Sequence, residues 1–380
     1  MTARRSPIRP NRPFPARVAR LTLPQDRRIL VISDVHGNLP YLRGVLEKAQ
    51  FCPEDVLIFA GDLLEKGPLS LETLRYVTAL SKTHTVYAVS GNCDWWIPLM
   101  YEVGTVQDNL WYINNKPFCL ARQMCAEQGI EVSPDMDYIS MRDTLAERYP
   151  EEFAFLRAMP EVLDTPHYTF VHGGLPEGSP ESWDAWSCMK YDHFMETPRH
   201  FDKWVIVGHW PVMLYHESIV DANPVFDRDK KIISIDGGCV LKDDGQLNAL
   251  VIPRDGSEDF SVISYDPFPR AEVLRSQPAS EHSYYLRWCD AQVRVLRRGP
   301  EFSRVRHMRT GYEMDVLTKY LYGEGTECTI NDSTDYVLPL RPGDVVSVVE
   351  ETSRGYFVKH DGISGWYYGP LRPLDPGKTP

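Results

Sequence analysis

The 380-residue sequence has no apolar run approaching the roughly 20 residues that span a bilayer, so no membrane-spanning helix is expected. Its eight cysteines are scattered without close repeated spacing, which argues against a disulfide framework or a zinc knuckle and reads as reduced thiols. Positive charge is in deficit. With 41 basic against 53 acidic residues the net charge is -12, which argues against broad polyanion binding and makes nucleic acid an unexpected partner. There is no internal repeat and no low-complexity tract, which excludes a solenoid. Met1–Arg20 carries arginines and prolines but lacks the apolar centre of a secretory signal. Residues 1–25 are therefore expected to be a disordered lead-in, and the protein to be cytoplasmic.

What is present is an ordinary globular composition, 43% hydrophobic and 25% charged, in a chain long enough for two or three domains. From Arg28 to Val89 the pattern alternates strand and amphipathic helix: Arg28–Ser33, Leu39–Ala49, Val56–Ala60, Leu71–Leu80, Thr85–Val89. Such alternation implies a parallel sheet with right-handed crossovers, whose strand C-termini meet at one edge. The residues placed there are Asp34 and His36, then Asp62, then Asn92, Cys93 and Asp94. Asp34 and His36 lie two apart, so an extended backbone can aim a carboxylate and an imidazole at one point. Residues 100–166 are rich in helix formers and read as a helical insertion beside that edge. The strands then resume: Tyr168–Val171 runs into His172-Gly-Gly and Trp204–Val207 into Gly208-His209-Trp210-Pro211.

Residues 267–283, with Pro267, Pro269 and Pro278, read as a linker. Beyond it, residues 284–376 break into short alternating strands. The runs Gly343-Asp-Val-Val-Ser-Val-Val349, Gly355-Tyr-Phe-Val-Lys359 and Trp366-Tyr-Tyr-Gly-Pro370 resemble bacterial SH3-like domains, which implies a small all-β barrel. Its aromatics Tyr356, Phe357, Trp366, Tyr367 and Tyr368 suit either a barrel core or a peptide groove, and no ligand is assigned to it.

Taken in order, SDVHGN, GDLLEKGPLSLETLRYV, GNCD, VHGGLP and GHWPV resemble the blocks of calcineurin-like metallophosphoesterases. Within that superfamily they are similar to the PPP-type phosphoprotein phosphatase branch, which includes the bacterial symmetrical diadenosine-tetraphosphate hydrolases. The resemblance covers roughly Arg28 to Ile252 and implies a four-layer αββα sandwich over residues 26–266. It also implies two divalent ions, with manganese first and iron or zinc as alternatives. Asp34, His36 and Asp62 would hold the first ion, Asp62 would bridge, and Asn92, His172 and His209 would complete the second. The implied chemistry is hydrolysis of a phosphate ester or anhydride by metal-activated hydroxide.

Two positions depart from the family pattern. Lys66 stands where GD-x-x-x-R-G has arginine, keeping the charge but losing the bidentate fork, while Glu65 replaces a common aspartate. Lys190 is the candidate for the second phosphate-gripping cation. Cys93 stands where the PPP branch has the histidine that, with a following carboxylate (here Asp94), protonates the leaving oxygen. A thiol beside dications is a poor proton donor. Alkoxide leaving groups need a donor most, so nucleoside polyphosphates or activated esters are the expected substrates. A serine/threonine protein phosphatase is the alternative within the class, and a weakly catalytic metal-binding scaffold acting through the SH3-like domain is the alternative outside it. The remaining histidines, such as His84, His193, His216 and His360, read as packing or surface residues.

Overall fold

Apolar runs with no polar alternation demand strands covered on both faces, and Ile29–Ile32 and Val56–Ala60 are buried at every position. The computed structural model describes residues 13–374. Its first strands in chain order are Val18–Arg20 (β1), Ile29–Ile32 (β2), Val56–Ala60 (β3), Thr85–Val89 (β4), Val162–Asp164 (β5), Tyr168–Val171 (β6) and Trp204–Val207 (β7). One sheet has the order 261–265, 247–252, β2, β3, β4, in which β2, β3 and β4 run parallel. The other has the order β1, β5, β6, β7, 232–234, 225–227, with β6, β7 and Ile232–Ser234 parallel.

The strand period of two separates two cores. Ile29, Val31, Val56 and Ile58 pack with Phe170, Trp204, Ile206 and Leu250 between the sheets. Leu30, Ile32, Leu57 and Phe59 point the other way, onto Leu39–Lys48 (α1), Ser70–Ser81 (α2) and the insertion. The insertion supplies the helices Val106–Asn115, Leu120–Glu127, Tyr138–Arg148 and Pro150–Ala158. Their buried Met124, Met141, Leu145 and Phe153 join the same core. Thr105 and Asp137 cap two of these helices by accepting from Asp108 N and Ser140 N. The helix-on-sheet, sheet-on-sheet layering is that of an α/β sandwich.

The chain divides into two compact units, and the division differs from the expected boundaries. The second unit is all β and takes in 211–223 and 242–245 as well as the chain from Asp266 onward. Val220–Asp221 is an edge strand of that unit's six-stranded sheet, paired with Ile363 and Ser364; two residues are too short to carry a periodic signal. The stretch read as a linker contains the strand Arg270–Val273, antiparallel to Val345–Thr352. Pro267, Pro269 and Pro278 flank that strand rather than interrupt it, so they punctuate pairing without preventing it. A five-stranded sheet, 313–317, 302–307, 292–297, 327–330, 321–322, and a short pairing of 285–286 with 333–334 complete the unit. Trp366 and Tyr367 are buried there, Tyr356 and Phe357 are half-buried, and Tyr368 is 48% exposed. At the other end, β1 lies inside the stretch expected to be a disordered lead-in and pairs with β5. Residues 1–12 and the last two of the expected SH3-like domain lie outside the described residues. Among the described residues no helix is long and apolar enough to cross a membrane.

Candidate metal centre

Asp34 and His36 follow β2, Asp62 follows β3, Asn92 to Asp94 follow β4, His172 follows β6 and His209 follows β7. The two sheets thus deliver these residues from strand C-termini. Asp34, His36, Asp62 and His209 have φ of 57°, 52°, 52° and 67°, left-handed values that cost non-glycine residues energy. Such strain persists where the surroundings over-determine it, and four of the candidate ligand positions carry it.

Two groups of ligand atoms form, His36, Asp62 and Cys93 in one and Asp62, His172 and His209 in the other, with every atom in a group within 4.8 Å of the rest. Asp62 belongs to both. Its Oδ2 lies 3.8 Å from His36 Nε2 and its Oδ1 3.3 Å from His172 Nε2, the arrangement a bridging carboxylate needs. Asp34 Oδ1 lies 3.5 Å from His36 Nε2. Ligand atoms about 2.0–2.2 Å from one ion stand roughly 3–4.4 Å apart, so these spacings suit coordination. The imidazoles are pre-oriented: His172 Nδ1 is 2.9 Å from Ala60 O and His36 Nδ1 3.3 Å from Leu64 O, which turns each Nε2 inward. Asp34 Oδ1, Asn92 Oδ1 and His172 Nε2 are buried with no hydrogen-bond partner among the described residues. Buried unpartnered polar atoms on a histidine, an amide and a carboxylate fit a divalent cation.

Electrostatics follow from that crowding. Burial works against ionisation of Asp62, but His172, His36 and Lys66 outweigh it and hold the carboxyl well below its ordinary value. Burial likewise opposes charge on His172, yet Asp62 and Asp34 push it up to about 9. His209 goes down to about 4 through burial, with His172 and Lys190 adding to the effect. Its Nε2 is 2.8 Å from Asp192 Oδ1 and 2.9 Å from Lys190 Nζ. Lys66 Nζ is 3.2 Å from His36 Nε2, so each of the two groups has one ammonium beside it. Asp94 does not face the groups as an acid would. Its Oδ1 accepts from Leu64 N at 3.1 Å and its Oδ2 from Gly91 N at 3.0 Å, bracing two loops together. Burial and Asp62 push it up to about 7.

Glycines make the close approach possible. A Cβ on Gly91 would lie 2.1 Å from Asp62 Oδ1, and one on Gly208 2.3 Å from Asp34 Oδ2. Gly91→Ala is expected to displace the Asp62 carboxylate and lower kcat by roughly 10²-fold, the usual cost of an ångström-scale misplacement, with a smaller change in melting temperature. Steady-state kinetics with thermal melting checks this, and an unaltered kcat contradicts it.

Two residues, Asp192 and Asp236, escaped the sequence reading, and the contacts of a third, Glu65, were not legible there. Asp192 orients His209 but sits in an irregular loop with no motif around it. Asp236 is fully buried, and burial together with Asp34 raises it well above the ordinary value. Glu65 is buried and accepts from Trp96 Nε1 at 2.9 Å, Tyr112 OH at 2.8 Å and Leu120 N at 2.7 Å. It therefore ties the helical insertion to the loop bearing Lys66. The Trp96 and Tyr112 partners are 31 and 47 residues away, a separation that only the fold closes.

Burial pushes Glu65 from an ordinary 4.5 up to about 7 despite these donors. The folded state then keeps a proton that the unfolded chain has lost, so stability falls as pH rises through that window. The effect is about 3 kcal/mol. Glu65→Gln is expected to flatten this part of the melting-temperature profile measured across pH, and parallel profiles for the two proteins contradict it.

An aspartate shared by two imidazole-bearing groups on strand ends of an α/β sandwich is the donor arrangement that a dinuclear-metal hydrolase requires. The calcineurin-like phosphoesterase profile matches residues 27–233, just over half of the chain, and the protein belongs to that family. The symmetrical bis(5'-nucleosyl)-tetraphosphatase of Photobacterium profundum is 25% identical over 266 residues, covering 55% of this chain and 89% of its own. That of Methylococcus capsulatus is 30% identical over 170 residues, covering 44% and 49%. Among solved structures, a metallophosphoesterase from Sphaerobacter thermophilus aligns at 19% identity with a TM-score of 0.36, over 63% of this chain and 88% of its own. The chain is thus a metallophosphoesterase, a hydrolase of phosphate ester or anhydride bonds, and its family uses a dinuclear divalent centre.

Proposed function

We propose that this protein hydrolyses the phosphoanhydride bonds of nucleoside polyphosphates, dinucleoside tetraphosphates in particular. Asp34, His36, Asp62, Asn92, His172 and His209 would hold a pair of divalent ions, manganese first, with iron and zinc also suited to this oxygen and nitrogen set. The observation that carries the substrate class is the pair of ammonium groups, Lys66 beside His36 and Lys190 beside His209, one at each of the groups that share Asp62. A chain of several phosphates offers charge to both ends of such a site at once, whereas a single phosphomonoester does not. The tetraphosphatase activity of the relatives agrees with this.

Bound divalent ions supply Lewis-acid polarisation of phosphoryl oxygens and make water acidic enough to be a nucleophile near neutral pH. The chain's own residues do the rest. Asp62 faces both groups through its two oxygens, and Cys93 N donates to Oδ1 at 2.8 Å, fixing that carboxylate. His209 N donates to Asp34 Oδ2 at 2.9 Å, locking the second loop to the first ligand. Lys66 and Lys190 bind phosphate oxygens as point charges, tolerating several orientations of a flexible polyphosphate. A phosphate leaving group departs as a stabilised anion, so the missing histidine at position 93 costs little.

A cytoplasmic setting suits eight unpaired cysteines, and the all-β unit is read as an SH3-like module outside the chemistry. The test is a panel of diadenosine tetraphosphate, aryl phosphate, aryl phosphodiester and phosphoserine peptide. The tetraphosphate should give the highest kcat/KM. A faster phosphopeptide would overturn the substrate class.

A further inference from the structure

We infer that Cys93 is itself a metal ligand, giving the first metal position a sulfur donor beside Asp34, His36 and Asp62. This rests on the dinuclear reading above and goes beyond its six oxygen and nitrogen ligands.

Cys93 Sγ, His36 and Asp62 have ligand atoms that all lie within 4.8 Å of one another. Donors about 2.0 Å from an ion for nitrogen and oxygen, and about 2.3 Å for sulfur, satisfy that spacing around one centre. Of the eight cysteines, none but Cys93 joins such a group among the described residues. A second observation points to the same place. The orphaned Asp34 Oδ1, on a residue 1% exposed, lies 3.5 Å from His36 Nε2, so a fourth donor converges on the imidazole already grouped with the thiol.

The local chain holds the sulfur there. Cys93 N donates to Asp62 Oδ1 at 2.8 Å, so the bridging carboxylate positions the residue's own backbone. Gly91, with no room for a Cβ beside Asp62, and Asp94, which accepts from Gly91 N, fix the rest of the turn. Asn92 Nδ2 donates to Sγ at 3.3 Å and helps to hold the sulfur in place. Coordination releases the thiol proton to solvent and forms one metal–sulfur bond, with no change in oxidation state. A thiolate makes the position softer, which favours zinc, cobalt or ferrous iron over manganese there. It also removes Cys93 from proton donation, in keeping with a substrate whose leaving group needs none.

The test uses the full chain, freed of metal by chelation and reloaded with cobalt(II). Wild type should bind about two cobalt ions and show a sulfur-to-cobalt charge-transfer band in the near ultraviolet. Cys93→Ser should lose the band while keeping bound cobalt, and zinc affinity at that position should drop by roughly 10–100-fold. Cys239→Ser, whose sulfur is directed at Val35 O, should keep the band. X-ray absorption on wild type, which needs no variant to fold, should show a sulfur neighbour at about 2.3 Å. Cobalt bound without the band and without that sulfur shell overturns the cysteine ligand alone. Failure to bind cobalt at all overturns the dinuclear reading with it.

Discussion

Asp62→Asn is expected to lower kcat for diadenosine tetraphosphate by roughly 10³-fold and to weaken metal retention, since it removes a charge and one of two donor oxygens from the residue shared by both groups. The asparagine oxygen can still accept from Cys93 N, so the turn after β4 should survive and the protein should stay folded. Its amide nitrogen would point a donor toward His36 or His172, where the wild type presents an acceptor. Kinetics with metal analysis of the purified variant checks this. Activity within tenfold of wild type would mean that Asp62 does not bridge.

Cys93→His is expected to raise turnover of phosphoserine peptides by roughly 10²–10⁴-fold, the range that a positioned general acid contributes. Turnover of the tetraphosphate should change far less, because its leaving group is already stabilised. The comparison of interest is therefore the ratio of the two activities in each protein. A gain confined to the phosphopeptide supports the leaving-group argument. No gain would contradict the leaving-group argument, since Asp94, held by Leu64 N and Gly91 N, is not placed to supply the proton instead.

Much of the catalytic unit is legible because its strands are short apolar runs and its site residues directly follow them. Arg28–Ser33 and Val56–Ala60 announce β2 and β3, and the polar residues at their ends need only the parallel-sheet rule to converge. The two lysines were also visible, Lys66 in its motif and Lys190 between the histidine blocks, and the structure sets both beside imidazoles. What stayed hidden depends on long-range closure. Asp192 reaches His209 from an irregular loop, and Glu65 meets its partners only once the insertion has packed. The pairing role of Cys93 was hidden for another reason. Read against its family it is a missing histidine, and only the folded chain groups its sulfur with His36 and Asp62. Some strands of the all-β unit stayed hidden because two-residue and four-residue strands such as Val220–Asp221 and Arg270–Val273 carry too few side chains to establish a period.

Anomalous diffraction from crystals of the manganese-loaded or cobalt-loaded protein tests the central claim most directly. Two peaks are predicted on either side of the Asp62 carboxylate, one against Asp34 and His36 and the other against His172 and His209. A single peak, or peaks that leave Asp62 out of contact, would contradict it.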